Sequence, residues 1–91
     1  MWIKGLVWDD HNVEHIAYHH VEPGEVEKAV WGDAWFKKGP GRQRYYAYSR
    51  TEAGRYLFIV LDREYDECFY VVTARDMNED EKRLHQRGRG R

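Results

Sequence analysis

The sequence is poor in cysteine and proline, and it has no long apolar run. Its one cysteine, Cys68, lies inside an apolar stretch, so no internal disulfide can form and we expect a protein of the reducing cytoplasm. No apolar segment approaches the roughly 20 residues that cross a membrane, and no secretory leader pattern is present, so we expect no membrane association. A chain of 91 residues forms a single domain with a small core.

The sequence also lacks a strong net charge, because its formal charge is −1. The charges are nevertheless unevenly placed: residues 1–36 carry two lysines against seven acidic residues. Residues 37–50 and 82–91 each carry five basic residues and no acidic residue. Two interpretations stay open, namely two solvated basic surfaces or a side of the protein that binds phosphate.

Metal and cofactor motifs are missing as well. His11, His15 and His19 follow one another at a spacing of four residues, which places imidazoles on one face of a helix. Since no cysteine accompanies them, this spacing does not predict a metal centre. We therefore expect neither a metal ion nor a cofactor.

Two apolar runs near the middle of the chain organise the predicted fold. Tyr56–Leu61 and Cys68–Ala74 have the length of strands, are rich in aromatic and β-branched residues, and flank the polar bend Asp62–Glu67. They predict an antiparallel hairpin at the centre of a sheet. With four-residue loops, Ser49 lies opposite Tyr56, and Tyr56 lies opposite Arg75.

The remaining elements follow from capping residues and apolar spacing. We predict strands over 2–8, 35–38 and 43–50, and helices over 10–19, 23–31 and 79–86. Asp9 or Asp10 caps the first helix, Pro23 opens the second, and Asn78 with Glu81 forms a capping box for the third. The expected class is α+β, in the order β-α-α-β-β-β-β(-α), with an antiparallel sheet and two helices on one face. The domain spans 1–86, and a basic disordered tail spans 87–91.

The register above divides the side chains of the strands between two faces. The face assigned to the helices carries, among others, Tyr46, Tyr48, Leu57, Ile59, Leu61, Tyr70 and Val72. The other face carries, among others, Tyr45, Ala47, Ser49, Tyr56, Phe58, Val71 and Arg75, and would offer rings and a cation to a nucleic acid. Trp8 and Trp31 are interpreted as core residues.

Several short motifs follow one another over most of the chain: Trp8-Asp9, Asn12, His19-His20-Val21, Glu25 to Ala29, Arg44 to Ser49, Gly54-Arg55, Thr73-Ala74-Arg75 and Glu81. In their order and spacing they resemble the BrnT family of type II toxin–antitoxin toxins. His20 stands where the family has glycine. Since histidine tolerates a left-handed cap better than most residues, we expect the turn to survive at some cost.

The resemblance implies a RelE-like fold and a metal-independent endoribonuclease that cleaves RNA and inhibits translation. It also implies a cognate antitoxin, similar to BrnA, that neutralises the toxin. Operator DNA would be reached only through the antitoxin, whose DNA-binding region lets the complex repress its own operon.

RNA cleavage without a metal requires a base for the 2′-hydroxyl, a cation for the phosphorane and an acid for the leaving 5′-oxygen. Arg75 ends an apolar strand and is the first candidate for the cation, although it could instead pair with Asp76 or with a helix carboxylate. His19, Glu81 and Tyr56 are the other catalytic candidates. Each of these three residues also has a structural explanation: His19 could cap a helix end, Glu81 could form the capping box, and Tyr56 could pack in the core.

Arg44, Arg50 and Arg55 are the candidates for RNA binding, and for Arg44 and Arg50 the alternative is a solvated strand edge. Arg44 and Arg50, together with Arg75, favour the enzyme over two rival functions. The acidic first half of the chain, and His20 and Ser49 in place of the glycines of the family, favour the rivals. One rival is a catalytically weak or inactive module that binds the antitoxin and takes part in operon autoregulation. The other is a co-repressor that acts only in complex with the antitoxin.

Overall fold

The structure is a computed structural model that describes residues 1–89. Its elements are β1 (Gly5–Val7), α1 (Asp10–Ala17), α2 (Pro23–Trp31), β2 (Ala34–Lys38), β3 (Arg44–Arg50), β4 (Tyr56–Tyr65), β5 (Cys68–Asp76) and α3 (Glu79–Arg89). This confirms the predicted α+β class and element order. The first helix ends two residues earlier than predicted. The last helix runs three residues further, so positions 87–89 of the expected tail are helical, whereas 90–91 lie outside the described residues.

The strands form one sheet in the order β1-β5-β4-β3-β2. The predicted hairpin of β4 and β5 lies inside this sheet, and β2, β3, β4 and β5 are antiparallel neighbours. β1 is the exception, because it pairs in parallel with the start of β5, Gly5 opposite Cys68. No helix in the described part of the chain has the length and apolarity needed to cross a membrane.

The predicted register was wrong by one residue between β3 and β4. Tyr56 lies opposite Arg50, not opposite Ser49, because the connection has five residues, 51–55, instead of four. The backbone of Thr51 closes this loop by donating to the carbonyl of Arg55 at 2.8 Å. A shift of one residue exchanges the two faces of a strand, so the side chains of β3 lie on the faces opposite to those predicted.

The hairpin of β4 and β5 also differs from the prediction. Its loop has two residues, Asp66 and Glu67, and the pairing shifts at two irregularities along β4. As a result Arg75 lies opposite Phe58 instead of Tyr56, and Val71 and Val72 lie on the faces opposite to those predicted.

The sheet separates two apolar clusters. The larger cluster joins α1 and α2 to one face, and its sheet residues are Ala47, Leu57, Ile59, Leu61, Phe69, Val71 and Ala74. The smaller cluster lies on the other face under α3 and contains Trp35, Tyr46, Tyr48, Tyr56, Phe58, Val60, Val72, Met77 and Leu84. Two helices therefore share one face as predicted, and α3 covers part of the face that was expected to carry the aromatic surface.

Two buried polar side chains fix the first two helices to the sheet. Asn12 is fully buried, and its amide donates to the carbonyls of Val7 at 2.9 Å and Val71 at 3.1 Å. Ser49 is also fully buried and donates to the carbonyl of Ala29 at 2.9 Å. Because each group is satisfied, both stabilise the packing instead of opposing it.

The turn after α1 is closed by a Schellman pair of hydrogen bonds. The amide of Val21 donates to Ile16 at 3.1 Å, and the amide of His20 donates to Ala17 at 3.0 Å. His20 adopts a φ of 58°, the left-handed conformation expected at this position. Val21 and Ile16 are both buried in the larger cluster, as the motif requires.

Arg55 holds this turn against the sheet. Its guanidinium donates to the carbonyls of His20 at 2.7 Å and His19 at 3.1 Å. The same group donates to Asp76 at 2.7 Å and to both oxygens of Glu25 at 3.1 and 3.2 Å. One side chain therefore connects the α1–α2 turn, the first turn of α2, and the end of β5.

Replacing His20 by glycine should stabilise the fold. The side chain of His20 is exposed, so little contact is lost, and glycine adopts positive φ without steric cost. We expect a gain of about 0.5–1 kcal/mol in the free energy of unfolding, measured by urea denaturation. His11→Gly, inside α1, is the matched control and should destabilise by a similar amount. Destabilisation by both changes would contradict the left-handed assignment.

Replacing Arg55 by alanine should cost about 1–3 kcal/mol, because it removes the ion pairs with Glu25 and Asp76 and takes this donor from the carbonyls of His19 and His20. Arg55→Lys should recover only a small part, since an ammonium group cannot reach all of these acceptors. Arg83→Ala, which removes an exposed pair with Asp80, should stay within about 0.5 kcal/mol. Equal effects of the two alanine variants on the urea midpoint would show that the Arg55 contacts contribute little.

Candidate functional site

A row of aromatic rings crosses the α3 side of the sheet. The ring of Phe58 lies at its centre, with ring centroids 5.4 Å from Tyr46 and 5.3 Å from Tyr48. Trp35 continues the row at 5.2 Å from Tyr48. Since β3 carries these tyrosines on this face only in the observed register, the sequence prediction had placed them on the wrong side.

Arg75 lies on this aromatic row. Its guanidinium carbon is 4.5 Å from the centroid of Phe58, a cation–π contact. Its two terminal nitrogens donate to the two carboxylate oxygens of Glu81, each at 2.8 Å. The Arg75 side chain is 36% exposed, whereas that of Glu81 is 15% exposed, so solvent reaches the cation more readily than the carboxylate.

Glu81 is held from a second direction by the start of α3. Its carboxylate accepts from the amide of Asn78 at 2.9 Å, and the side chain of Asn78 accepts from the amide of Glu81 at 2.9 Å. This is the predicted capping box. Burial opposes charge on Glu81, but the hydrogen bonds from Arg75 and from the Asn78 backbone outweigh it and leave its pKa lowered.

The pKa values of Arg75 and Tyr48 are also shifted. Hydrogen bonding to Glu81 raises the pKa of Arg75, so Arg75 is a permanent cation. Burial, with a further contribution from the Glu81 charge, raises the pKa of Tyr48, so Tyr48 stays a neutral phenol. The arrangement therefore combines one fixed cation, one fixed anion and neutral rings.

Tyr56 lies at the end of this face near α3. Arg50 and Lys82 approach its ring from β3 and α3, with centroid distances of 5.5 and 5.4 Å. His85, which is fully buried, meets the same ring edge-on at 5.9 Å. The structure thus surrounds Tyr56, a predicted site residue, with two cations that the sequence did not connect to it.

The three arginines expected to bind RNA differ sharply in their surroundings. Arg44 forks onto Asp62 across the β3–β4 pair at 2.8 Å for both bonds, which lowers the pKa of that carboxyl. Every guanidinium nitrogen of Arg55 has an acceptor in the network described above. Arg50, by contrast, is exposed and pairs with no carboxylate among the described residues. Of these three arginines, Arg50 alone has a guanidinium without a carboxylate partner within residues 1–89, and it could take a phosphate.

His19 is not brought together with the other catalytic candidates. It follows α1, its carbonyl is held by Arg55, and its ring meets that of His15 at 5.7 Å. The Nε2 atom of His15 lies 3.0 Å from the hydroxyl of Thr73. Within residues 1–89 no group of three or more His, Cys, Asp or Glu side chains has the arrangement of a metal site.

The ion pair between Glu81 and Arg75 should make the free energy of unfolding depend on pH. Because the folded pKa of Glu81 is below its ordinary value of 4.5, the unfolded chain binds more protons at acid pH, and stability falls as pH falls through this range. We expect Glu81→Gln to have a lower free energy of unfolding than the wild type at pH 7. Between about pH 5 and pH 3, however, the free energy of unfolding should fall less in this variant than in the wild type. Urea unfolding at each pH measures this difference, and Glu14→Gln, on an exposed face of α1, is the control. Parallel pH profiles for the wild type and Glu81→Gln would contradict it.

Comparisons with known protein families, with curated proteins and with solved structures find no match for this chain. The resemblance to the BrnT family therefore stays an interpretation of the residue pattern. Function has to be inferred from the contacts of Arg75, Glu81 and the aromatic row.

Proposed function

We propose that this chain is a toxin-like, metal-independent endoribonuclease with a RelE-like fold. One juxtaposition carries the proposal: a permanent cation, Arg75, lies on an aromatic sheet face and contacts a carboxylate, Glu81. A carboxylate that can take a proton and a guanidinium that can hold phosphate oxygens are two of the three groups that such cleavage requires. The element order and the sequence motifs agree with this proposal.

In the proposed reaction Glu81 takes the proton of the 2′-hydroxyl, and the 2′-oxygen attacks the adjacent phosphorus. Protonation removes the charge of Glu81 and weakens its hold on Arg75. The guanidinium then stabilises the phosphorane oxygens, and the bond to the 5′-oxygen breaks as that oxygen takes a proton. Tyr56, with Arg50 beside its ring, stacks a base or donates this last proton.

The pairing of Arg75 favours a second candidate function. Its fork is satisfied by Glu81, and the lowered pKa makes Glu81 a weak base. A substrate phosphate must displace this carboxylate, which predicts slow cleavage by the free chain. A catalytically weak or inactive module that binds an antitoxin fits the same observation.

Both candidates include a cognate antitoxin similar to BrnA, and operator DNA is contacted only through it. Support comes from Val13 on α1 and from Tyr18, which directly follows α1, because these residues are 36% and 85% exposed. Exposed apolar residues that lie together can form part of a surface that a protein partner covers. The RNA substrate and the antitoxin would then occupy different sides of the sheet.

Incubation of messenger-length RNA with the purified protein in EDTA separates the two candidates. We expect the wild type to cleave and Arg75→Ala to lose at least about 100-fold in rate, because the phosphorane loses its charged donor. Glu81→Gln should lose a comparable factor. Arg63→Ala removes an exposed pair with Glu67 outside this site and should cleave like the wild type.

Thermal unfolding of each variant shows whether loss of cleavage reflects loss of the fold. Cleavage that persists in folded Arg75→Ala would contradict the proposed site. Absence of cleavage by the wild type, together with tight binding of the antitoxin encoded beside the gene, would select the binding module.

A further inference from the structure

A cleft of about 660 Å³ lies outside the proposed catalytic site, between the end of α2 and the connection of β3 to β4. Trp31 lines it and is 50% exposed, so its interpretation as a core residue was wrong. The indole nitrogen of Trp31 donates to the carbonyl of Ile3 at 2.9 Å. This bond fixes the ring in place, and a large aromatic surface borders the cleft.

Two cations line the same cleft. Lys28 and Arg50 belong to α2 and β3, and neither pairs with a carboxylate in the part of the chain that the structure describes. Arg50 also lies over Tyr56, so it connects the cleft with the proposed site. Two charged donors at one cleft can hold a phosphate group between them.

Two carboxylates, Asp33 and Glu52, complete the lining. Carboxylates accept hydrogen bonds from the hydroxyls of a ribose, as they do in dinucleotide sites. Glu52 lies in a turn that hydrogen bonds to Thr51 hold in place. The carbonyl of Thr51 accepts from the amide of Gly54 at 2.8 Å, and its hydroxyl accepts from the amide of Arg55 at 3.0 Å. The cleft is therefore bordered by an anchored ring and a hydrogen-bonded turn.

We propose that this cleft binds one ribonucleotide unit, with its base stacked on Trp31 and its phosphate between Lys28 and Arg50. The 2′-hydroxyl of that unit faces Asp33 and Glu52. The volume is within the range of small-molecule sites, and a stacking ring with charged donors is the usual means of holding a base and its phosphate. As a subsite for single-stranded RNA this inference rests on the proposed function, whereas binding of a free nucleotide does not.

Titration calorimetry with a single-stranded adenine RNA pentamer, adenosine 5′-monophosphate and the matching DNA pentamer tests the inference. The full chain carries Arg75→Gln in all arms, so that cleavage does not interfere. We expect RNA to bind more tightly than DNA, and Trp31→Ala to weaken RNA binding about tenfold. Lys28→Ala should reduce the slope of log affinity against log salt by about 0.7, a change that a structural role would not cause.

Lys4→Ala, which changes an exposed lysine outside the cleft, should leave both affinity and salt dependence unchanged. Lys28 is exposed as well, so its variant keeps the test valid even if Trp31→Ala fails to fold. Binding of the monophosphate as tight as that of RNA would identify free nucleotides as the ligand, and much tighter binding of the pentamer would identify RNA. No binding of either probe at millimolar concentration, or binding that Lys28→Ala leaves unchanged, would overturn the inference. Because binding is measured without cleavage, an inactive wild type would refute the endoribonuclease without deciding this result.

Discussion

The contacts of Arg55 determine how the helices meet the sheet. Its guanidinium lies at the start of β4 and joins the α1–α2 turn, Glu25 and Asp76. The turn is strained at His20, whose carbonyl is one of the acceptors, so the ion pairs help to hold a conformation that the residue itself disfavours. Asp76 directly follows Arg75, so the same contact also fixes the end of the strand from which the proposed catalytic cation projects.

The kinds of elements could be predicted from sequence, but their register could not. Caps and apolar spacing located α2 at both ends, and strand composition located β4 and β5. Register depends on loop length, and nothing in Thr51–Gly54 indicates that Arg55 also belongs to the loop. One residue of error exchanged the faces of β3, which is why the tyrosines around Phe58 were missed as a group.

The roles of the arginines were hidden for a related reason. In the sequence Arg44, Arg50, Arg55 and Arg75 are all strand-end cations, and each is a candidate for phosphate. The carboxylate partners of Arg44, Arg55 and Arg75 come from 6 to 30 residues away, so only the three-dimensional structure shows which guanidinium groups are already paired. Sequence did identify the capping position of Glu81, and because a capping residue lies at a helix start, that carboxylate could reach the strand preceding α3.

Where this nearly neutral chain can bind an anion depends on which of its cations already pair with a carboxylate, and not on its net charge. The guanidinium of Arg75 is already paired with Glu81. The binding free energy of a phosphate at Arg75 is therefore only the difference between its own contact and the Glu81 contact that it replaces. Among the described residues no carboxylate pairs with Arg50 or Lys28, and these two cations border one cleft. An RNA strand bound first in the cleft would hold one of its phosphates close to Arg75. The effective concentration of that phosphate would exceed that of a free strand, so it would compete better with the Glu81 carboxylate. In the proposed reaction, binding at Arg50 and Lys28 and chemistry at Arg75 would then be separate steps, so a guanidinium that is a weak anion receptor by itself could still serve the proposed cleavage.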